Sequence, residues 1–151
     1  MKHRVVLNER PPYLSFSWQW VIGALLFASA QVWASCPSTT TTARFLIADD
    51  QVTDLQTGLT WSRCSAGQSY SSQSCNGAAS TMTHEAALTY AQNQSGWRLP
   101  NIIELQSLLD LGCTTPAIDR TAFPNTPASY FWPSTPYTLE LGSAWFVDFN
   151  S

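Results

Sequence analysis

The sequence predicts a single small α+β domain. Three observations carry that expectation: short apolar runs broken by turns over residues 44–64, two capped helical patterns between residues 83 and 112, and a proline-broken aromatic stretch that ends in alternation.

The first run, "RFLIADDQVTDLQTGLTWSRC", places Phe45 to Ile47, Val52, and Leu59 with Trp61 in strands. Turns are expected at Asp49-Asp50 and from Asp54 to Gly58, where short side chains that bond their own backbone are favoured. Asp49, Asp50 and Asp54 fall close together, but not in the alternating oxygen pattern of a calcium loop, so they read as turn formers.

In "TMTHEAALTYAQNQSG", Thr83 is the expected N-cap and Glu85 sits near the positive end of the helix dipole. Ala86, Ala87, Tyr90 and Ala91 then share one face, and Asn93 to Gly96 stop the helix. The second helix starts at Asn101, with Glu104 three residues on as in a capping box. Ile102, Leu105, Leu108 and Leu109 form its apolar stripe, and Gly112 is expected to close it in a left-handed C-cap. Beyond Gly112, five prolines between Pro116 and Pro136 exclude a long helix. Trp145, Val147 and Phe149 alternate with Phe146 and Asp148 as in a strand.

Ahead of the domain, residues 1–34 read as a secretory signal: "MKHRVVLNER" is basic, "WVIGALLFASA" is apolar, and Val32-Trp33-Ala34 suits cleavage after Ala34. The competing reading is a retained anchor, since Trp18 to Ala34 spans 17 residues, near the lower limit for crossing a bilayer. Residues 35–43 are a polar linker and residues 44–151 the domain. The expected location is therefore secreted, periplasmic or cell surface, with a membrane contact only through an uncleaved signal.

Without residues 1–34, four arginines face nine carboxylates and there is no lysine, a formal charge of −5. Such a chain lacks the clustered cations that DNA, RNA and anionic membranes require, so no nucleic-acid partner is expected. All four cysteines follow the leader, in a chain bound for an oxidising compartment, where disulfides are the default. Four cysteines allow three connectivities. Cys64 with Cys75 is the easiest to justify, closing "CSAGQSYSSQSC", and would leave Cys36 for Cys113. Zinc would need a CxxC spacing or more than the one histidine, His84, that follows the leader. Neither metal nor cofactor is expected.

The inventory does not assemble a catalytic group. His84 lies in the first turn of a helix, away from any evident nucleophile, and Glu104 is committed to its capping box. No enzymatic activity is expected.

Taken as an ordered set, "VTDLQTGLTW", "EAALTYA", "GWRLPNIIELQSLLD", "AIDRTAFPNTPASYFWPSTPY" and "AWFVDF" resemble the bacterial family named after the C-terminal domain of the Legionella collagen-like adhesin, the Lcl C-terminal domain. The likeness covers about residues 50–150. More distantly, "WRLPN" followed by "EL" is similar to the C-type-lectin-like and formylglycine-generating-enzyme-like folds, which implies two helices flanking a looped antiparallel sheet. The family pattern runs past "WFVDF" to a strand carrying "VRCVR". The resemblance thus implies a chain cut short at Ser151, with Cys113 or Cys36 lacking its usual partner. Binding of sulfated polymers, which the adhesin would suggest, transfers poorly to so acidic a chain.

Function is expected of the aromatic excursion at residues 121–140. Rings stack on the apolar faces of sugars, and amides take their hydroxyls, which nominates Asn125, Tyr130, Trp132 and Tyr137 as ligand-binding residues. Trp61, Trp97 and Trp145 are expected in the core, and Trp132 serves either role. "GWRLPN" reads as scaffold: Pro100 and the Asn101 cap fix the backbone, so Trp97, Arg98, Pro100, Asn101 and Glu104 form a structural clasp in which Arg98 reaches a carboxylate or carbonyls. The expectation is a non-catalytic secreted or cell-surface module, glycan-binding or adhesive. The alternative is a structural domain of an envelope or pilus assembly, whose partner is an envelope protein.

Overall fold

The computed structural model describes residues 2–3, 6–8, 44–138 and 143–150. The order of elements is β1 (Lys2–His3), β2 (Val6–Asn8), β3 (Phe45–Ala48), β4 (Gln51–Asp54), β5 (Leu59–Ser62), β6 (Ser69–Ser71), β7 (Ser74–Asn76), β8 (Thr81–Met82), α1 (His84–Gln92), α2 (Ile102–Gln106), β9 (Tyr130–Trp132) and β10 (Val147–Asp148). They form a four-stranded sheet in the order β1-β5-β4-β3, a second in the order β10-β9-β2-β8, and the hairpin β6-β7. This is the α+β class expected from the sequence.

The meander β3-β4-β5 arises where apolar alternation meets the two expected turns. Asp49 at the first takes φ 49°, and Gly58 at the second takes φ 70°, a conformation that glycine adopts without steric cost. Val52 registers with Trp61 across β4 and β5, and both are buried. Asp54 opens the second turn as expected, its Oδ1 accepting from the N–H of Gln56 at 3.0 Å and its carbonyl from the N–H of Gly58 at 2.8 Å. It ends β4 fully buried, its carboxylate gripped by Arg44 through Nε at 3.1 Å and Nη2 at 2.6 Å. Arg44 Nη2 also donates to the carbonyl of Ser107, joining this sheet to the end of α2.

Cys64 and Cys75 are bridged, as the short polar excursion between them implied. Inside the bridge, Ser72 and Gln73 both have positive φ, at 52° and 61°, the signature of a two-residue hairpin turn matched to strand twist. Neither residue favours that conformation, so the covalent closure and three hydrogen bonds from the Asn76 amide hold it. Replacing both cysteines by alanine is expected to cost about 3 kcal/mol by the loop-closure argument. Urea unfolding of the variant checks it; a loss below about 1 kcal/mol would show that the hairpin is held without the bridge. Cys113 is also disulfide-bonded, which corrects the expectation of a cysteine left without a partner there. Cys36 lies outside the described residues.

Helix α1 begins at Thr83, whose Oγ1 accepts from the N–H of Ala86, and ends at Asn93 before Gly96 at φ 77°. Ala87 and Ala91 are buried against Ala66 and Leu99, with Met82, Leu88, Tyr90 and Trp132 around them. The small side chains let the helix lie close to its neighbours.

Helix α2 is shorter than its apolar stripe. It ends at Gln106, capped by Ser107, and Gly112 plays no left-handed role. The Ser107 hydroxyl donates to the carbonyl of Glu104, competing with the helical ladder. Leu108 and Leu109 then continue in i to i+3 turns rather than α-helix. Leu105 and Leu108 still reach the main core, where Val52, Trp61, Ile118, Phe123, Phe131, Val147 and Phe149 meet. Phe131 and Phe149 pack edge to face at 5.1 Å.

The central strand of the second sheet comes from an unexpected place. β2 lies antiparallel to β9 and parallel to β8, and β1 runs parallel to β5. Both strands belong to the stretch read as a leader, and each adds one parallel pairing to sheets whose other pairings are antiparallel, as expected. Residues 9–43, with the rest of that leader and the polar linker, lie outside the described residues.

Candidate ligand-binding surface

β9 divides the domain. Phe131 faces the main core, while its neighbour Trp132 turns to the α1 side, where its Nε1 donates to the carbonyl of Met82 at 2.8 Å. The ring of Trp132 packs edge to face on His84 at 5.3 Å, and His84 Nε2 bonds the carbonyl of Pro133. Trp132, one of the expected ligand residues, is thus half-buried and tied to α1. Asn125 is exposed but also engaged: its amide donates to Ser74 Oγ and to the carbonyl of Cys75, both at 2.9 Å, and it takes φ 55°. It fastens the proline-rich excursion to the disulfide hairpin.

The other two expected ligand residues lie on a more open feature. After β9, Pro133 and Pro136 withhold the N–H groups that a ladder needs. The regular pairing of β9 with β10 therefore ends, and among the described residues contact resumes at an isolated bridge from Pro136 to Ala144 and a bond from Tyr137 N–H to the carbonyl of Ser143. On this irregular hairpin Tyr130 pairs edge to face with Phe146 at 4.9 Å, and Tyr137 with Trp145 at 5.0 Å. Trp145 and Phe146 are 48% and 50% exposed.

The exposure of Trp145 overturns its expected place in the core. Alternation with Val147 and Phe149 would have buried it, yet the backbone before Val147 is not regular strand, so the alternation does not extend back that far. Sequence reasoning therefore missed Trp145 and Phe146 as surface residues. The signal that could have found them is the pair of prolines opposite. Trp61 is in the core as expected, and Trp97 is half-buried.

The "GWRLPN" clasp has the expected form. Arg98 donates to both carboxylate oxygens of Glu104, at 2.9 and 2.7 Å, and to the carbonyl of Leu99. Glu104 also closes the capping box, its Oε2 accepting from Asn101 N–H at 2.8 Å while Asn101 Oδ1 accepts from Glu104 N–H at 2.9 Å. Pro100 is buried, and its carbonyl accepts from Ser134 N–H, fixing the start of the aromatic hairpin to the clasp. Arg98→Ala is expected to destabilise by about 1–2 kcal/mol, because the pair is bidentate but partly exposed. Thermal unfolding checks this, and an unchanged midpoint would reduce Arg98 to a surface cation. Beside the clasp, Leu88, Ala91, Gln92, Trp97, Leu99 and Ser134 line an open cleft of about 270 Å³.

All four arginines of residues 44–150 are engaged. Arg44 and Arg98 hold carboxylates, Arg63 binds backbone carbonyls, and Arg120 donates to the carbonyls of Thr114 and Thr115. Among the described residues no group of three or more His, Cys, Asp or Glu could hold a metal ion, and no helix is long and apolar enough to cross a membrane.

Fold and surface together define a disulfide-stapled α+β domain with an exposed aromatic hairpin. A family profile described as the Lcl C-terminal domain matches residues 50–151, and the chain belongs to that family. No curated protein and no solved structure matches it.

Proposed function

We propose that the chain is a non-catalytic extracytoplasmic binding module of lectin-like architecture, and that its aromatic hairpin binds an uncharged glycan. One observation carries the reading: Trp145 and Phe146 stay half exposed while each is held edge to face by a tyrosine. Leaving large rings in water forgoes the burial that stabilises a small domain, and exposed apolar patches mark contact sites. Rings fixed by neighbours lose little entropy when they stack on the C–H face of a sugar. Asp148, half-buried and in register with Tyr130, offers a carboxylate for hydroxyls nearby. The engaged arginines and the acidic balance favour an uncharged ligand over sulfated or nucleic-acid polymers. The disulfide fits an oxidising compartment.

The test is a glycan array followed by tryptophan-fluorescence titration. Trp145→Ala is expected to weaken binding at least tenfold with the melting temperature unchanged. The sugar reading fails if no glycan gives a saturable response, or if Trp145→Ala binds like the parent chain.

A second reading, a structural domain that contacts an envelope protein, is favoured by edge strand β3. Leu46 and Ile47 there are 61% and 41% exposed. Exposed apolar residues on an open edge suit strand pairing with another chain.

A further inference from the structure

We propose that the free edge of β3 pairs with the same edge of a second copy of this chain, antiparallel and about a two-fold axis at Leu46. Strand β3 ends its sheet, with β4 on one side only. The carbonyl of Arg44 accepts from Leu55 N–H on the β4 side. Hydrogen-bonding direction alternates along a strand, so Leu46 and Ala48, registered with Thr53 and Gln51, also turn their N–H and C=O groups to β4. Those of Phe45 and Ile47 point away from it, and among the described residues they have no partner.

That alternation selects the register. Antiparallel copies exchange hydrogen bonds only where outward-facing residues oppose each other, and setting Phe45 of each copy against Ile47 of the other uses every outward group of β3 at once. Leu46 then meets its own copy. Sliding the copies to set Ile47 against itself would oppose Phe45 to Asp49, where a φ of 49° ends the strand. Leu46 is 61% exposed and Ile47 41%, so the pairing covers two apolar side chains of each copy. Charge permits this partner as well. The chain as a whole is acidic, yet Phe45 to Ala48 carry no charge, and β3 has neither the lysine, the proline nor the bulge that commonly guards an edge. Arg44 beside it is neutralised by Asp54. About the two-fold axis, Asp49 of each copy lies six residue steps from that of the other, roughly 20 Å, beyond the ~10 Å over which exposed charges act. A parallel pairing would instead bring the two Asp49-Asp50 turns together. Naming a second copy as the partner rests on reading β3 as a contact edge, and it leaves glycan binding at the hairpin untouched.

Sedimentation velocity of the full chain should show monomer in reversible exchange with dimer at concentrations up to about 0.5 mM, the range that so small an interface requires. Ile47→Pro removes an outward N–H and none of the ladder to β4, so it should lower the dimer fraction at least fivefold with the melting temperature held. Leu46→Cys should cross-link to its own copy under mild oxidation, since opposed residues there lie about 4.5 Å apart at Cα, within reach of a disulfide. Ala48→Cys, also exposed but four residue steps and about 14 Å from its counterpart, should cross-link at least fivefold less. A parent chain that stays monomeric, a dimer fraction unchanged in Ile47→Pro, or equal cross-linking of the two cysteine variants overturns the proposal. A monomeric chain that still captures an envelope protein through β3 would overturn the second copy and keep the contact edge. Should Ile47→Pro fail to fold, the two cysteine variants decide.

Discussion

Arg63→Ala is expected to destabilise the domain by about 3–4 kcal/mol, a fall in melting temperature of about 10–20 °C for a chain of this size. Arg63 is 6% exposed, and its guanidinium is coordinated almost entirely by backbone. Nε donates to the carbonyl of Ala122 at 2.9 Å, Nη2 to Thr121 at 2.7 Å and Nη1 to Asp49 at 3.0 Å, while Nη1 also donates to the Tyr70 hydroxyl. The cation lies over the Tyr70 ring at 4.7 Å. One side chain thus fastens the β3-β4 turn, the disulfide hairpin and the excursion after Ile118. Alanine would leave a cavity and take away the donor that three backbone carbonyls share, and buried polar groups without partners are costly. Lysine should recover less than half of the loss, because its single ammonium cannot span the acceptors that the planar fork reaches. Denaturant unfolding of both variants checks this, and full recovery by lysine would show that charge alone matters.

Asp54→Asn is expected to cost about 2–4 kcal/mol, since it leaves Arg44 without its carboxylate in a mostly buried place. Burial by itself would raise the pKa of Asp54. The Arg44 hydrogen bonds and charge, with the Gln56 N–H and the Thr57 hydroxyl, outweigh burial and hold it below the ordinary value. A carboxyl whose folded pKa is depressed adds stability that is fully present above its unfolded pKa of about 3.9, and loses it as pH falls through the folded pKa. The parent chain should therefore keep its stability from neutral pH down to about pH 4 and lose it below. Asp54→Asn should lack that share of the acid loss. Melting curves at steps of pH compare them, and parallel acid profiles would remove Asp54 from the account.

These two expectations show where the sequence could be read and where it could not. Asn101 and Glu104 were legible as a capping box because three positions of spacing set the bond, and Arg98 found Glu104 only six residues away. Cys64 and Cys75 were legible for the same local reason. Arg63 gave no such signal: its acceptors at Thr121 and Ala122 lie nearly sixty residues on, and carbonyls carry no mark in the sequence. Asp54 was legible as a turn former, since its carboxylate meets the N–H of Gln56 two residues on, but only the position of Arg44 across the strand pair shows why it can be buried.

On the candidate surface the same division holds. That no long helix would form beyond Gly112 follows from proline's missing donor, and no partner is needed to see it. Which rings face water did depend on partners. Trp132 met Met82 and His84 and was drawn in, whereas Trp145, opposite a segment broken by Pro133 and Pro136, was left out.

The sequence by itself determined the α+β class, the two N-caps and the Cys64–Cys75 bridge, because each depends on residues close together in the chain. Only the tertiary structure decided which arginine is the true fastening, which aromatic residues form a surface, and which segment completes the second sheet. Those outcomes are set by contacts between residues far apart in the chain, whose free energy depends on what else is buried beside them.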